Sequence, residues 1–154
     1  MPDQPDAARG ASPFIVLVDT NVALDLLMNR APFVHEALQL FALAEAQRIQ
    51  LLLSSDAVST IAYIVEKNSG RAAAREAIAK LLDFVSLAPL TEQTVLRGLS
   101  LEFDDIEDSL VAAAAEGADA QAIVTRNVTD FTRSPLPVMT PTEFLAFWVA
   151  RERA

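Results

Sequence analysis

Short apolar runs alternate with amphipathic stretches along the chain. Phe14-Ile-Val-Leu-Val18 is uninterrupted and β-rich, the pattern of a strand buried on both faces. It stops at Asp19-Thr-Asn21, polar residues suited to capping a helix, and residues 22–28 read as that helix. Pro32 opens a second helix over 33–47, where Phe33, Ala37, Leu40, Phe41 and Ala44 recur at helical spacing and mark one buried face. Leu51-Leu-Leu53 is a second strand, and Ser54, Ser55 and Asp56 offer caps for a helix to Asn68, closed by Gly70. A helix over 71–82 then precedes a third strand over 84–87.

After Pro89 and the capping Thr91 comes a short helix, then an acidic run leading into a helix over 106–116 that Gly117 ends. Ala122-Ile-Val-Thr125 is a fourth strand and Pro137-Val-Met139 a short fifth. Thr140-Pro-Thr-Glu143 combines an N-cap threonine, a first-turn proline and a glutamate three residues on, so it starts a last helix reaching Glu152. Strands alternating with helices predict a mainly parallel sheet of about five strands with right-handed crossovers and helices on both faces, a three-layer α/β/α domain.

Composition narrows the chemistry. The 154 residues suit one domain, expected over 14–154 after a flexible tail over 1–13. No cysteine is present, which excludes a disulfide framework and thiolate metal sites, and the single His35 makes a multi-histidine site impossible. The tail has no apolar core of an export signal, and no apolar run approaches the ~20 residues of a membrane span, so a cytoplasmic chain without a membrane partner is expected.

With 21 acidic and 12 basic residues the formal charge is −9, which argues against gripping nucleic acid by a broad basic surface. The excess is local. Residues 98–125 hold seven acids (Glu102, Asp104, Asp105, Glu107, Asp108, Glu116 and Asp119) and no Lys or Arg. A solvated acidic face is one reading of such a run. Its position offers another, because ligands of open parallel sheets bind outside the carboxyl ends of the strands. Asp19 follows strand one, Thr125-Arg126-Asn127 follow strand four with Asp130 close behind, and Asp105 and Asp108 open the helix that feeds strand four. Carboxylates gathered without a basic neighbour repel one another unless a cation neutralises them, and all-oxygen ligands favour Mg²⁺ or Mn²⁺. Each residue also has a plainer role: Asp19 as a helix cap, Asp108 as a favourable charge on a helix N-terminus, Asp130 as a turn residue, Thr125 as a strand end.

Other α/β enzymes fall away. The four glycines (Gly10, Gly70, Gly98 and Gly117) form no phosphate-cradling loop, and no serine sits in a nucleophile elbow. Lys67 and Lys80 lie in the wrong half for a phosphoaspartate receiver, and Asn21 stands where an aspartyl phosphatase carries its second aspartate.

Val18-Asp-Thr-Asn-Val22 with Leu24, Asp105-Ile-Glu-Asp-Ser109 running into alanine-rich 110–115, Ile123-Val-Thr-Arg-Asn127 with Asp130-Phe131, and Pro137-Val-Met-Thr-Pro141 with Glu143-Phe144 occur in this order. In these motifs the chain resembles the PIN-domain nucleases, over nearly all of residues 14–147. The resemblance implies a three-layer α/β/α fold and a Mg²⁺- or Mn²⁺-dependent endoribonuclease that leaves a 3′-hydroxyl and a 5′-phosphate. It also implies a likeness to the small toxin ribonucleases of type II toxin–antitoxin pairs, with a cognate antitoxin and a homodimer as partners. By the same resemblance Asp19 is the first metal-binding carboxylate and Asp108 the third. Asn127 stands where many members carry the fourth acid, with Asp130 nearby to replace it. The second acid of many members, a glutamate on the helix after strand two, falls here at Thr60 or Ile61, and the nearest glutamate on that helix is Glu66.

The expected metal core is therefore Asp19, Asp105 and Asp108, with Glu107 adding charge and Asp130, Thr20, Asn21 and Thr125 orienting water and ligands. Arg126, Arg30 and Arg133 either bind flanking RNA phosphates or are solvated charges. Two other functions stand beside the nuclease: a PIN-like binding or regulatory module that no longer cleaves, and a hydrolase of small phosphate esters.

Overall fold

Five parallel strands in the order β3-β2-β1-β4-β5 form the centre of the computed structural model, which describes residues 12–154. The strands are β1 (Phe14–Val18), β2 (Ile49–Ser54), β3 (Val85–Ala88), β4 (Ala122–Val124) and β5 (Val138–Met139). The helices are α1 (Thr20–Leu27), α2 (Val34–Glu45), α3 (Ala57–Ser69), α4 (Arg71–Leu81), α5 (Glu92–Ser100), α6 (Ile106–Gly117) and α7 (Pro141–Arg153), with a 3-10 turn over Val128–Phe131. All but two residues of the tail expected over 1–13 lie outside the described residues. No helix among the described residues is long and apolar enough to cross a membrane.

The unbroken apolar run of β1 follows from its central place. Phe14, Val16 and Val18 point into a large core shared with α1, α2, α3, α4 and α7, while Leu17 points into a smaller one with Leu52, Ile123, Phe131 and the alanines of α6. Ala112, Ala113, Ala114 and Ala115 are all buried, and their small side chains let α6 lie close against the sheet. Behind it, α5 packs on α6 at the buried Gly98. A Cβ there would meet the Leu110 side chain at 3.0 Å and the Ser109 carbonyl oxygen at 3.2 Å. At the other end, Phe144 is fully buried among Phe14, Phe147 and Trp148. Thr140 accepts from the Glu143 amide and Pro141 is the first residue of α7, as the capping sequence requires.

Several boundaries differ from the sequence reading for local reasons. Ser54 belongs to β2 and its hydroxyl bonds the Asp56 carboxylate instead of capping α3. Pro32 precedes α2 by two residues, and the Val34 amide makes the first backbone bond, to the Arg30 carbonyl. Gly117 is still helical, and the left-handed residue after α6 is Asp119, with φ 59°. Strand β4 ends at Val124, one residue early, which leaves Thr125 free to turn its side chain toward β1.

Candidate active site

The parallel register brings the end of β1 beside the end of β4. The Asp19 amide donates to the Val124 carbonyl at 2.9 Å, and the Thr125 amide donates to the Met139 carbonyl at 3.0 Å. Asp19 is then the N-cap of α1, with extended backbone, and one carboxylate oxygen accepts from the Thr20 amide at 2.8 Å. The other oxygen accepts from the Thr125 hydroxyl at 2.8 Å and from the Asn21 side-chain amide at 3.3 Å. Asp19 thus caps α1 while its carboxylate is held at the sheet edge by three donors. The Thr125 oxygen accepts in turn from the Asn127 amide at 3.1 Å.

Asp19 is only 8% exposed. Burial pushes its pKa up, opposed by the Thr125 and Thr20 hydrogen bonds and by the charge of Arg126, and reinforced by the charge of Asp130.

Across the edge, Asp105 is the N-cap of α6 and accepts from the Asp108 amide at 3.2 Å. This places Asp108, in the first turn, half-buried above a cleft of about 170 Å³. Asp104, Asp105, Asp108, Asp130, Thr129 and Arg133 line it. The Asp108 pKa is pushed up to about 6, first by burial and then by the negative charges of Asp105, Asp19, Asp130 and Glu107. Four carboxylates besides Asp108 therefore act on one point. Glu107 itself is exposed in the first turn of α6. Among the described residues no three His, Cys, Asp or Glu side chains are close enough to form a ready-made cage around an ion. The donor set still suits Mg²⁺ or Mn²⁺: every candidate ligand is oxygen, and Mg²⁺ takes one or two carboxylates while keeping several waters.

The arginines are placed differently from the sequence expectation. Arg126 turns away from the cleft to the buried Asp25 of α1, with Nε 2.8 Å from Oδ2 and Nη2 3.3 Å from Oδ1. Its guanidinium stacks 4.0 Å over the Phe33 ring, and its backbone amide reaches the Asn21 side-chain Oδ1 at 3.5 Å. Arg30 also faces Asp25, at 4.0 Å. Arg133 alone of the three lines the cleft, where it donates to the Glu102 carbonyl. Thr60 is half-buried on α3, while Glu66 is exposed and pairs with Arg71.

Asp25 is the residue that sequence reasoning missed. A carboxylate inside the apolar stretch Val22-Ala-Leu-Asp-Leu-Leu27 was the available signal, since a charge on a buried helix face needs a partner.

Comparison with known proteins bears on the family and the fold. A family model described as PIN domain matches residues 15–129. The ribonuclease VapC1 of Aquifex aeolicus (strain VF5) is 27% identical over 140 residues, covering 86% of this chain and 94% of the relative. Among solved structures, a toxin–antitoxin complex from Klebsiella pneumoniae matches with a TM-score of 0.63 and 27% identity, covering 82% of this chain and 97% of that one. DNA-bound VapBC from Salmonella typhimurium matches with a TM-score of 0.67 over 83% of this chain and 98% of that one; at 15% identity it speaks to the fold alone.

Proposed function

Because the chain belongs to the PIN-domain family, we propose that it is a Mg²⁺- or Mn²⁺-dependent endoribonuclease, a toxin held in check by a cognate antitoxin. The observation that carries the reading is Asp108. A half-buried carboxylate raised to about 6, first by burial and then by four other carboxylates, is costly for a fold and useful for holding a cation.

In this reading Asp19 and Asp108 hold the metal, with Asp105 and Asp130 completing the charge. The bound ion supplies Lewis-acid stabilisation of the phosphodiester and lowers the pKa of its water. The protein's own part is orientation. The Thr125 and Thr20 donors fix the Asp19 carboxylate, so it meets the ion without reorganising. Water would attack the phosphorus as Asp130, on the cleft wall, takes its proton; the P–O3′ bond breaks, and the 3′ oxygen takes a proton from solvent to leave as the 3′-hydroxyl. Arg133 offers the one guanidinium lining the cleft for a flanking phosphate.

The ribonuclease name of the Aquifex relative and the toxin–antitoxin name of the Klebsiella structure support the activity and the partner. A homodimer is part of the same proposal, and exposed Leu96 and Leu99 on α5 are candidates for its apolar contact.

The test is cleavage of labelled RNA with Mg²⁺ or Mn²⁺ by wild type, Asp19→Asn and Asp108→Asn. Loss in both variants supports the nuclease, and equal activity in all three refutes it. Thr60, standing where many family members carry a glutamate, favours one second reading: a PIN-like module that binds without cleaving. Wild type that binds no Mn²⁺ would decide for that module.

A further inference from the structure

The mechanism above uses neither Asp25 nor the guanidinium of Arg126, yet the pair joins the two segments that build the Asp19 hub. Asp25 lies on α1, which Asp19 caps, and is 1% exposed. Arg126 directly follows Thr125, whose hydroxyl holds Asp19. Arg126 is the only basic residue between Gly98 and Thr132, so it is the one cation this stretch brings to the carboxylates. Its guanidinium nevertheless lies outside the cleft, clamped between Asp25 and the Phe33 ring, with Arg30 on Asp25 as well.

Fold stability is a weak reason for such a pair. The desolvation of two charges commonly cancels their attraction, and apolar replacements of similar volume are often neutral or better. Location is a stronger reason. The charge of Arg126 is already felt at Asp19, so a guanidinium that was unpaired or swung toward the cleft would oppose a divalent cation there.

We infer that Asp25 is a positioning residue for the metal site: it holds and neutralises Arg126, so that the guanidinium neither fills nor discharges the carboxylate cleft. The inference rests on the metal reading proposed above, and its test separates the two. Mn²⁺ binding to the full chain is measured from the electron paramagnetic resonance of free Mn²⁺, with circular dichroism reporting the folded fraction and Tm. The proteins are wild type, Asp25→Asn, Arg126→Met and the double variant. Asp25→Asn keeps the shape but leaves the guanidinium uncompensated, and is expected to weaken Mn²⁺ binding about fivefold or more, the size of one screened charge acting on a divalent ion.

Arg126→Met is expected to bind at least as tightly as wild type although its Tm falls, because it leaves the buried Asp25 with only the more distant Arg30, 4.0 Å away. The double variant returns to within about twofold of wild type, since both charges are gone. A purely structural pair would instead lose affinity in step with Tm. The inference is overturned if Asp25→Asn binds like wild type, if the double variant binds as weakly as Asp25→Asn, or if Arg126→Met loses affinity. Should Asp25→Asn not fold, the other two variants decide by the same criteria. Wild type that binds no Mn²⁺ refutes the metal reading and this inference with it, whereas failure of the variants alone refutes only the inference.

Discussion

Replacing Asp108 by asparagine removes the charge that its surroundings tolerate least. The pKa of Asp108 is raised from 3.8 to about 6, so the folded state binds a proton that the unfolded state releases more readily. The sign follows from linkage. The contribution of Asp108 to stability is greatest at low pH, where it is protonated in both states, and is lost as pH rises from about 4 through 6. A shift of about two units corresponds to a ceiling of about 3 kcal/mol. The carboxylate is only half-buried, and screening by solvent removes much of that figure. Its first-turn position on α6 returns about 0.5 kcal/mol to the ionised form through the helix dipole. The net penalty at pH 7.5 is about 1 kcal/mol.

Asp108→Asn is therefore expected to be more stable than wild type by about 1 kcal/mol in EDTA at pH 7.5, and equal to it near pH 4. Urea denaturation at both pH values measures this. Adding millimolar Mn²⁺ at pH 7.5 should stabilise wild type more than the variant, because a ligand stabilises the state that binds it. An Asp108→Asn variant that is less stable in EDTA at pH 7.5, or a gap that does not change with pH, would refute the electrostatic account of the cleft.

Two further outcomes test the supports of the site. Thr125→Val removes the hydroxyl that donates to Asp19 and accepts from the Asn127 amide, at a cost of about 1–3 kcal/mol. The cost should be larger at pH 8 than at pH 5, because the hydroxyl serves the ionised form of Asp19 and its loss raises that pKa further; urea denaturation at the two pH values checks both statements. Phe144→Ala, at the fully buried centre of the Phe14, Phe147 and Trp148 cluster, should cost about 3–5 kcal/mol, read from denaturant midpoints. Its Mn²⁺ affinity should stay at the wild-type value under conditions where it remains folded.

How much of this was legible in the sequence depends on the range over which each interaction acts. Strand β1 announced itself because a central parallel strand is covered on both faces and has no polar alternation to hide it. Once the parallel order was read, the carboxyl ends of β1 and β4 had to be neighbours, and Asp19 and Thr125 came with them. Backbone position was thus readable, but side-chain direction was not. Arg126 sits where a phosphate ligand was expected and points the other way, because its partner Asp25 lies 101 residues earlier in the chain and no local pattern pairs them. Asp105 illustrates the same limit at short range: spacing put it beside Asp108, while its carboxylate is engaged by the Asp108 amide.

The charge of −9 gains its meaning from these directions. Of the seven acids between residues 98 and 125, Glu116 is neutralised by Arg97 through contacts of 2.8 and 3.1 Å, which also hold its pKa down. Asp104, Asp105 and Asp108 face the cleft with Asp130; Arg126 is tied to Asp25, and Arg133 is the one guanidinium that lines the cleft. Four carboxylates thus share the cleft with a single guanidinium, that of Arg133. That excess of negative charge in one cleft is what the proposed cation would offset, and an ordinary solvated acidic face would not need it.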